Sequence, residues 1–273
     1  MKNLINFFQS KQKLLEQADI PPTAHAMTYK LLLALFPFLM FLMTVAGYLD
    51  LDIHELLDLI DGIVPAEVVA VVENLGEHII GVQMAGLLYA SLAMAIFSST
   101  SAFRTLVAGI NKAHANADSR HPILIWVVSF LLVIIFAAAI VLTMVGLVFR
   151  SHVENFLISA NIVAPALTWL YNLALTALSV GFVMVAVLVT NYVSLYKKIP
   201  MKKILPGSIF TVIVWIAASY GFSFFVSNFS RMATVYGSVA AVMVLMIWLN
   251  IICHVILFGG AINALLMKSD GQV

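Results

Sequence analysis

Apolar residues run along this chain in blocks too long for the interior of an ordinary soluble domain. The blocks cover Met27–Tyr48, Gly81–Phe103, Pro122–Phe149, Ile162–Tyr192, Ser208–Val226 and Val235–Leu266. A helix rises about 1.5 Å per residue, so about twenty such residues cross the roughly 30 Å of hydrocarbon in a bilayer. The pattern predicts an all-α polytopic membrane protein with six transmembrane helices. Pro37, inside the first block, predicts a kink covered by a neighbouring helix.

The polar stretches complete the outline. Leu4, Ile5, Phe7, Phe8, Leu14 and Leu15 alternate with Lys2, Lys11, Lys13, Glu16 and Asp19. This predicts an interfacial amphipathic helix within residues 1–22, ended by Pro21 and Pro22. Residues 50–80 carry Asp50, Asp52, Glu55, Asp58, Asp61, Glu67, Glu73 and Glu77 with no lysine or arginine. Within them Ile53, Leu56, Leu57 and Ile60, then Val68, Val71, Val72, Leu75 and Ile79, recur at helical spacing. Two short amphipathic extracytoplasmic helices between the first two spans fit this pattern. The membrane domain then fills residues 23–267, and 268–273 form a tail.

Charge supplies the orientation. Only 10% of residues are charged and 63% are hydrophobic, which excludes an ordinary soluble surface. With six spans and both termini in the cytoplasm, Lys2, Lys11, Lys13, Lys30, Arg104, Lys112, Arg120, Lys197, Lys198, Lys202, Lys203 and Lys268 fall on one side. Only Arg150 and Arg231 fall opposite. Basic residues accumulate on cytoplasmic loops, so the expectation is a multi-pass protein of a bacterial cytoplasmic (inner) membrane, N-in and C-in. No signal-peptide pattern opens the chain. Arg104 is read as the start of the loop after the second span, and the Pro206–Gly207 pair as the turn into the fifth.

Candidate chemistry is sparse. A single cysteine, Cys253, excludes an internal disulfide and a cysteine metal cluster, and no cofactor or metal site is expected. Lys30 either snorkels to headgroups or faces an internal site. Asn172, Asn250, His254 and Asn263 are candidate transport or structural polar sites. Asn250 and His254 are four residues apart and share a helix face, with Asn172 as a candidate partner. Asn263 falls on the opposite face from His254 and suits a bond at the helix end. Lys197, Lys198, Lys202 and Lys203 are candidate contacts for anionic lipid.

Several motifs, in order, resemble the YihY/BrkB family of bacterial inner-membrane proteins. TYKLLLALFPFLMF carries Tyr29, Leu35 and Pro37; AFRTLVAGINKA carries Arg104, Leu106 and Asn111. LYKKIP and ILPG carry Tyr196, Pro200, Pro206 and Gly207. VYGS, the tryptophan helix and FGGAINA carry Tyr236, Gly237, Trp248, Gly260 and Asn263. Ala261 stands where family members commonly have an acid. The resemblance implies an envelope-related membrane role and an older ribonuclease label. The residues argue against a nuclease, since Glu16, Asp19, Asp118 and Asp270 are scattered rather than clustered around a metal. The expected function is a transporter or a translocase of lipid or a lipid-linked envelope precursor. The alternative is a structural or regulatory membrane scaffold involved in envelope integrity. Neither is an enzyme. The expected partners are membrane lipids, including an anionic lipid or lipid-linked substrate, and not nucleic acid.

Overall fold

The structure, a computed structural model, describes residues 18–48, 85–115, 118–148, 168–197, 199–228 and 238–269. Its elements are α1 (Ile20–Tyr48), α2 (Ala85–Ala113), α3 (Pro122–Val148), α4 (Thr168–Ser194), α5 (Met201–Asn228) and α6 (Ser238–Ser269). All six are long and apolar enough to cross a membrane. The described residues contain helix and turn but no strand. Among the described residues the fold is therefore all-α, with six helices fit to span a membrane. The expected segments within 1–17, 50–80 and 270–273, with Lys198, lie outside the described residues.

Packing runs around a ring, α1 to α2 to α3 to α4 to α5 to α6 and back to α1. α2 also touches α4 and α6, so it stands nearest the axis. The buried apolar residues gather at one end of this ring. They include Ala24 and Met27 of α1, Leu106 and Ile110 of α2, Ile204 of α5, and Cys253, Ile256 and Leu257 of α6. Asp19, Lys112, Arg120 and Lys202 mark the same end, called here the basic end. At the other end of α5, Tyr220 and Phe224 are exposed, as suits a surface facing lipid rather than water.

Small residues fix the α5–α6 contact. A Cβ on Gly259 would stand 2.7 Å from the Gly207 carbonyl and run into Thr211 Oγ1; one on Gly207 would strike the Gly259 carbonyl. The two backbones touch where only glycine fits, the device by which membrane helices approach closely. Further along, Trp248 of α6 stacks on Phe222 of α5 with ring centroids 4.8 Å apart.

Three boundaries differ from the sequence reading. Pro21 and Pro22 lie in the first turn of α1, where the absent N–H has no helical partner to lose; the helix expected before them falls within residues 1–17, outside the described residues. α1 therefore starts at Ile20 rather than Met27. α2 continues ten residues past Phe103 to Ala113, placing Arg104 inside a span instead of in a loop. α5 begins at Met201, so Pro206 and Gly207 lie within it. α1 also runs unbroken in assignment through Pro37.

Candidate functional site

α1 and α2 are antiparallel, and their register can be followed residue by residue. At the basic end Lys112 Nζ meets Asp19 Oδ2 at 2.7 Å, a half-exposed pair that contributes little to stability. Asp19 itself has a left-handed backbone (φ 49°), and its carbonyl accepts from Thr23 Oγ1 at 2.9 Å, which starts the helix. One turn on, Gly109 admits Thr23 and Leu257. Deeper, Lys30 Nζ donates to Thr105 Oγ1 at 2.6 Å and to the Ser101 carbonyl at 3.5 Å. Lys30 thus turns onto α2, between the two sequence alternatives of snorkelling and an enclosed site.

A second polar group joins α1 to α6. Asn250 Nδ2 donates to His25 Nδ1 at 2.8 Å and to Thr28 Oγ1 at 3.2 Å. His254 Nδ1 donates to the Asn250 carbonyl at 2.8 Å, and its ring stands edge-on to His25 with centroids 5.3 Å apart. With the amide donating, His25 accepts on Nδ1 and carries its proton on Nε2, while His254 turns Nε2 away from the Asn250 contact. Asn250 and His254 do share a seam. Their partners are His25 and Thr28; the Asn172 side chain lies outside the described residues, and α4 packs chiefly on α3 and α5. His25 was missed because the first span was started at Met27. The polar spacing of Thr23, His25 and Thr28 on an otherwise apolar stretch was the available signal.

The asparagines of the basic end do different work. Asn111, 1% exposed, donates from Nδ2 to the Ser194 carbonyl at 2.7 Å and accepts the Tyr196 N–H on Oδ1 at 2.9 Å. Arg120 also donates to the Ser194 carbonyl, at 2.7 Å, and is held by Asp118, its Nε lying 2.8 Å from Oδ1. These two donors satisfy the end of α4, whose last carbonyls have no helical partner. The Arg120 hydrogen bond holds the Asp118 carboxyl below the usual carboxylate range. His114, almost buried beyond the end of α2, has its pKa pushed down by burial, against a smaller opposing effect of the Ile110 carbonyl, 2.9 Å from Nδ1.

Asn263 accepts the Gly207 N–H on Oδ1 at 2.7 Å. It therefore bonds at the end of α6, on the side away from His254. Asn191 reaches Ser208 Oγ at 3.3 Å in the same α4–α5–α6 corner. Of the lysines, Lys197 and Lys202 are exposed and Lys203 is half-buried, all at the basic end. A separate cavity of about 230 Å³ among α3, α4 and α5 is edged by Thr143, Ser179 and Ser219. Each of those hydroxyls is bonded to its own helix, leaving an apolar wall.

Thr105, Asn111, Tyr196, Gly207 and Asn263 fall in the motifs AFRTLVAGINKA, LYKKIP, ILPG and FGGAINA, and the family profile described as Virulence factor BrkB matches residues 13–272. The chain belongs to the BrkB family. One BrkB-like relative, the ribonuclease-like protein YfkH of Bacillus subtilis, is 30% identical over 249 residues, 89% of this chain and 88% of that protein. A UPF0761 membrane protein of Pseudoalteromonas translucida is 29% identical over 85 residues, 31% of this chain and 27% of the relative. No solved structure matches the chain significantly. Within this BrkB-family chain, Arg104, Asn111, Gly207, Gly260 and Asn263 all fall where α2, α4, α5 and α6 meet or where α2 faces α1.

Proposed function

We propose that this BrkB-family protein is an inner-membrane transporter or translocase for a lipid or lipid-linked envelope precursor, with both termini in the cytoplasm. The observation that carries this reading is the polar seam of His25, Thr28, Asn250 and His254 between two spanning helices. Polar side chains inside a membrane are expensive and concentrate where cargo or ions pass. The seam keeps hydrogen-bonding capacity in reserve: among the described residues, neither His25 Nε2 nor His254 Nε2 is bonded. Lys197, Lys198, Lys202 and Lys203 supply a basic rim able to collect anionic headgroups on the cytoplasmic side. The reading involves no enzymatic step and no nucleic acid.

The test is transbilayer movement of a fluorescent phospholipid in vesicles reconstituted with the purified protein. The wild type accelerates movement over empty vesicles. His254→Ala lowers the rate per folded molecule by about tenfold, the equivalent of one hydrogen-bonded contact of about 1.4 kcal/mol. His254→Gln, which keeps a donor and an acceptor, retains more. Wild-type vesicles no faster than empty ones would overturn the translocase reading for phospholipid and favour the scaffold alternative.

A further inference from the structure

Two cations, Lys30 and Arg104, stand well away from the helix ends, in spans that carry no counter-charge. Lys30 is eleven residues beyond Asp19 on α1, and Arg104 is eight residues before Lys112 on α2. At 1.5 Å per residue they lie roughly 16 Å and 12 Å below the Asp19–Lys112 pair. None of the six helices contains an aspartate or glutamate. Asp19 and Asp118, the acids among the described residues, lie outside the spans and are already paired with Lys112 and Arg120.

The two cations are neighbours. Arg104 directly precedes Thr105, the residue to which Lys30 donates. Thr105 Oγ1 donates onward to the Ser101 carbonyl at 3.2 Å, which fixes its lone pair toward the lysine. Arg104 is exposed and makes no ion pair among the described residues. Two like charges side by side repel, and more strongly where water is scarce. Holding both on a membrane-embedded face is costly unless an anion arrives from outside the fold. The anion that matches them has several acceptor oxygens: an arginine fork binds two, and a lysine ammonium takes another as a point charge.

We propose that Lys30 and Arg104, steadied by Thr105, bind the phosphate of an anionic phospholipid or lipid-linked phosphate that enters sideways from the bilayer between α1 and α2. The site lies below the level of the basic rim and faces outward, so a lipid reaches it without leaving the membrane. A lipid phosphate drawn there from the headgroup layer has begun to cross, which gives the translocase reading its cargo chemistry. The inference rests on that reading for its purpose, while the binding itself is an equilibrium measured without transport.

The experiment uses the full-length protein, delipidated in detergent. Bound phosphatidylglycerol and phosphatidylcholine are counted by native mass spectrometry, with and without millimolar inorganic phosphate. The wild type retains phosphatidylglycerol about tenfold over phosphatidylcholine, and inorganic phosphate does not displace it. Lys30→Gln and Arg104→Gln each lower that preference severalfold, and the double variant abolishes it. Lys30→Arg and Arg104→Lys preserve it. Equal retention of the two lipids by the wild type overturns the proposal, whatever the variants do. Displacement by inorganic phosphate reassigns the site to a soluble anion and overturns its lipid half. Selective binding with no transport sinks the translocase reading alone; transport without selective binding sinks this site alone.

Discussion

Replacing Asn111 by leucine removes one buried amide while keeping its volume, and the structure gives a number for the loss. Asn111 Oδ1 is the acceptor for the Tyr196 N–H at 2.9 Å, and Nδ2 is one of two donors to the Ser194 carbonyl. The other donor is Arg120 Nη2, also at 2.7 Å. In Asn111→Leu the Ser194 carbonyl keeps a partner, but the Tyr196 N–H loses its own. A stranded, partly buried donor costs about 1–3 kcal/mol, and the lost bond to Ser194 adds about 1 kcal/mol. The expected destabilisation is about 2–4 kcal/mol, read from equilibrium unfolding in mixed detergent micelles by loss of helicity. Combining Asn111→Leu with Arg120→Met strips both donors from Ser194, so the double variant loses about 1–2 kcal/mol more than the sum of the singles. Additive losses, or a single-variant effect under 0.5 kcal/mol, would refute the clamp on the end of α4.

Gly259→Ala forces the α5–α6 backbones apart, because Thr211 Oγ1 is tied to the Gly207 carbonyl at 2.9 Å and cannot swing clear. The cost is about 1–3 kcal/mol of overpacking. Gly221→Ala, with open space at its Cβ, is neutral or stabilising in the same unfolding assay. His114 has a folded pKa below its ordinary value of about 6.5, so its contribution is complete above that pH and is lost as pH falls from there toward the folded value. The stability difference between the wild type and His114→Gln should therefore shift against the wild type on acidification through that window; a difference that stays constant from pH 8 to pH 5 would contradict the burial argument. Cysteine reporters near Gly62 and Asn228, in a background lacking Cys253, are expected to react with an impermeant reagent from outside intact cells. Those at Asn116 and Met201 are not, and labelling of this second pair would overturn the proposed orientation.

Class and number of spans were legible in the sequence because they depend on local hydropathy. About twenty apolar residues need no partner to select a bilayer, and the six blocks named from the chain are the six helices of the structure. Arg104, read as the start of a loop, stands inside α2 and so carries less weight in the basic bias from which the orientation was expected. Boundaries failed where one residue type serves opposite ends of a helix. Proline both closes a helix and opens one, so Pro21–Pro22 were placed ahead of the first span although they stand in the first turn of α1, and Pro206 at the turn into the fifth although it stands just past the first turn of α5. The i, i+4 relation of Asn250 and His254 is a property of one helix and was readable. Their meeting with His25 joins residues 225 positions apart and was not.

Only the tertiary structure decided what each buried polar group is for. Asn111, Asn263 and Asn250 look alike in a sequence: an amide in an apolar run. Packing gives the first to the end of α4 and the second to a glycine N–H of α5. The third meets a histidine on α1. The same holds for Lys30 and Arg104, which sequence position assigns to a span end and a loop respectively. Their juxtaposition follows from the antiparallel register of α1 on α2, set by Asp19 against Lys112 and by the space at Gly109. Hydropathy is a one-body property that each segment expresses alone; pairing of charges and amides is a two-body property that exists only once the helices have chosen their neighbours.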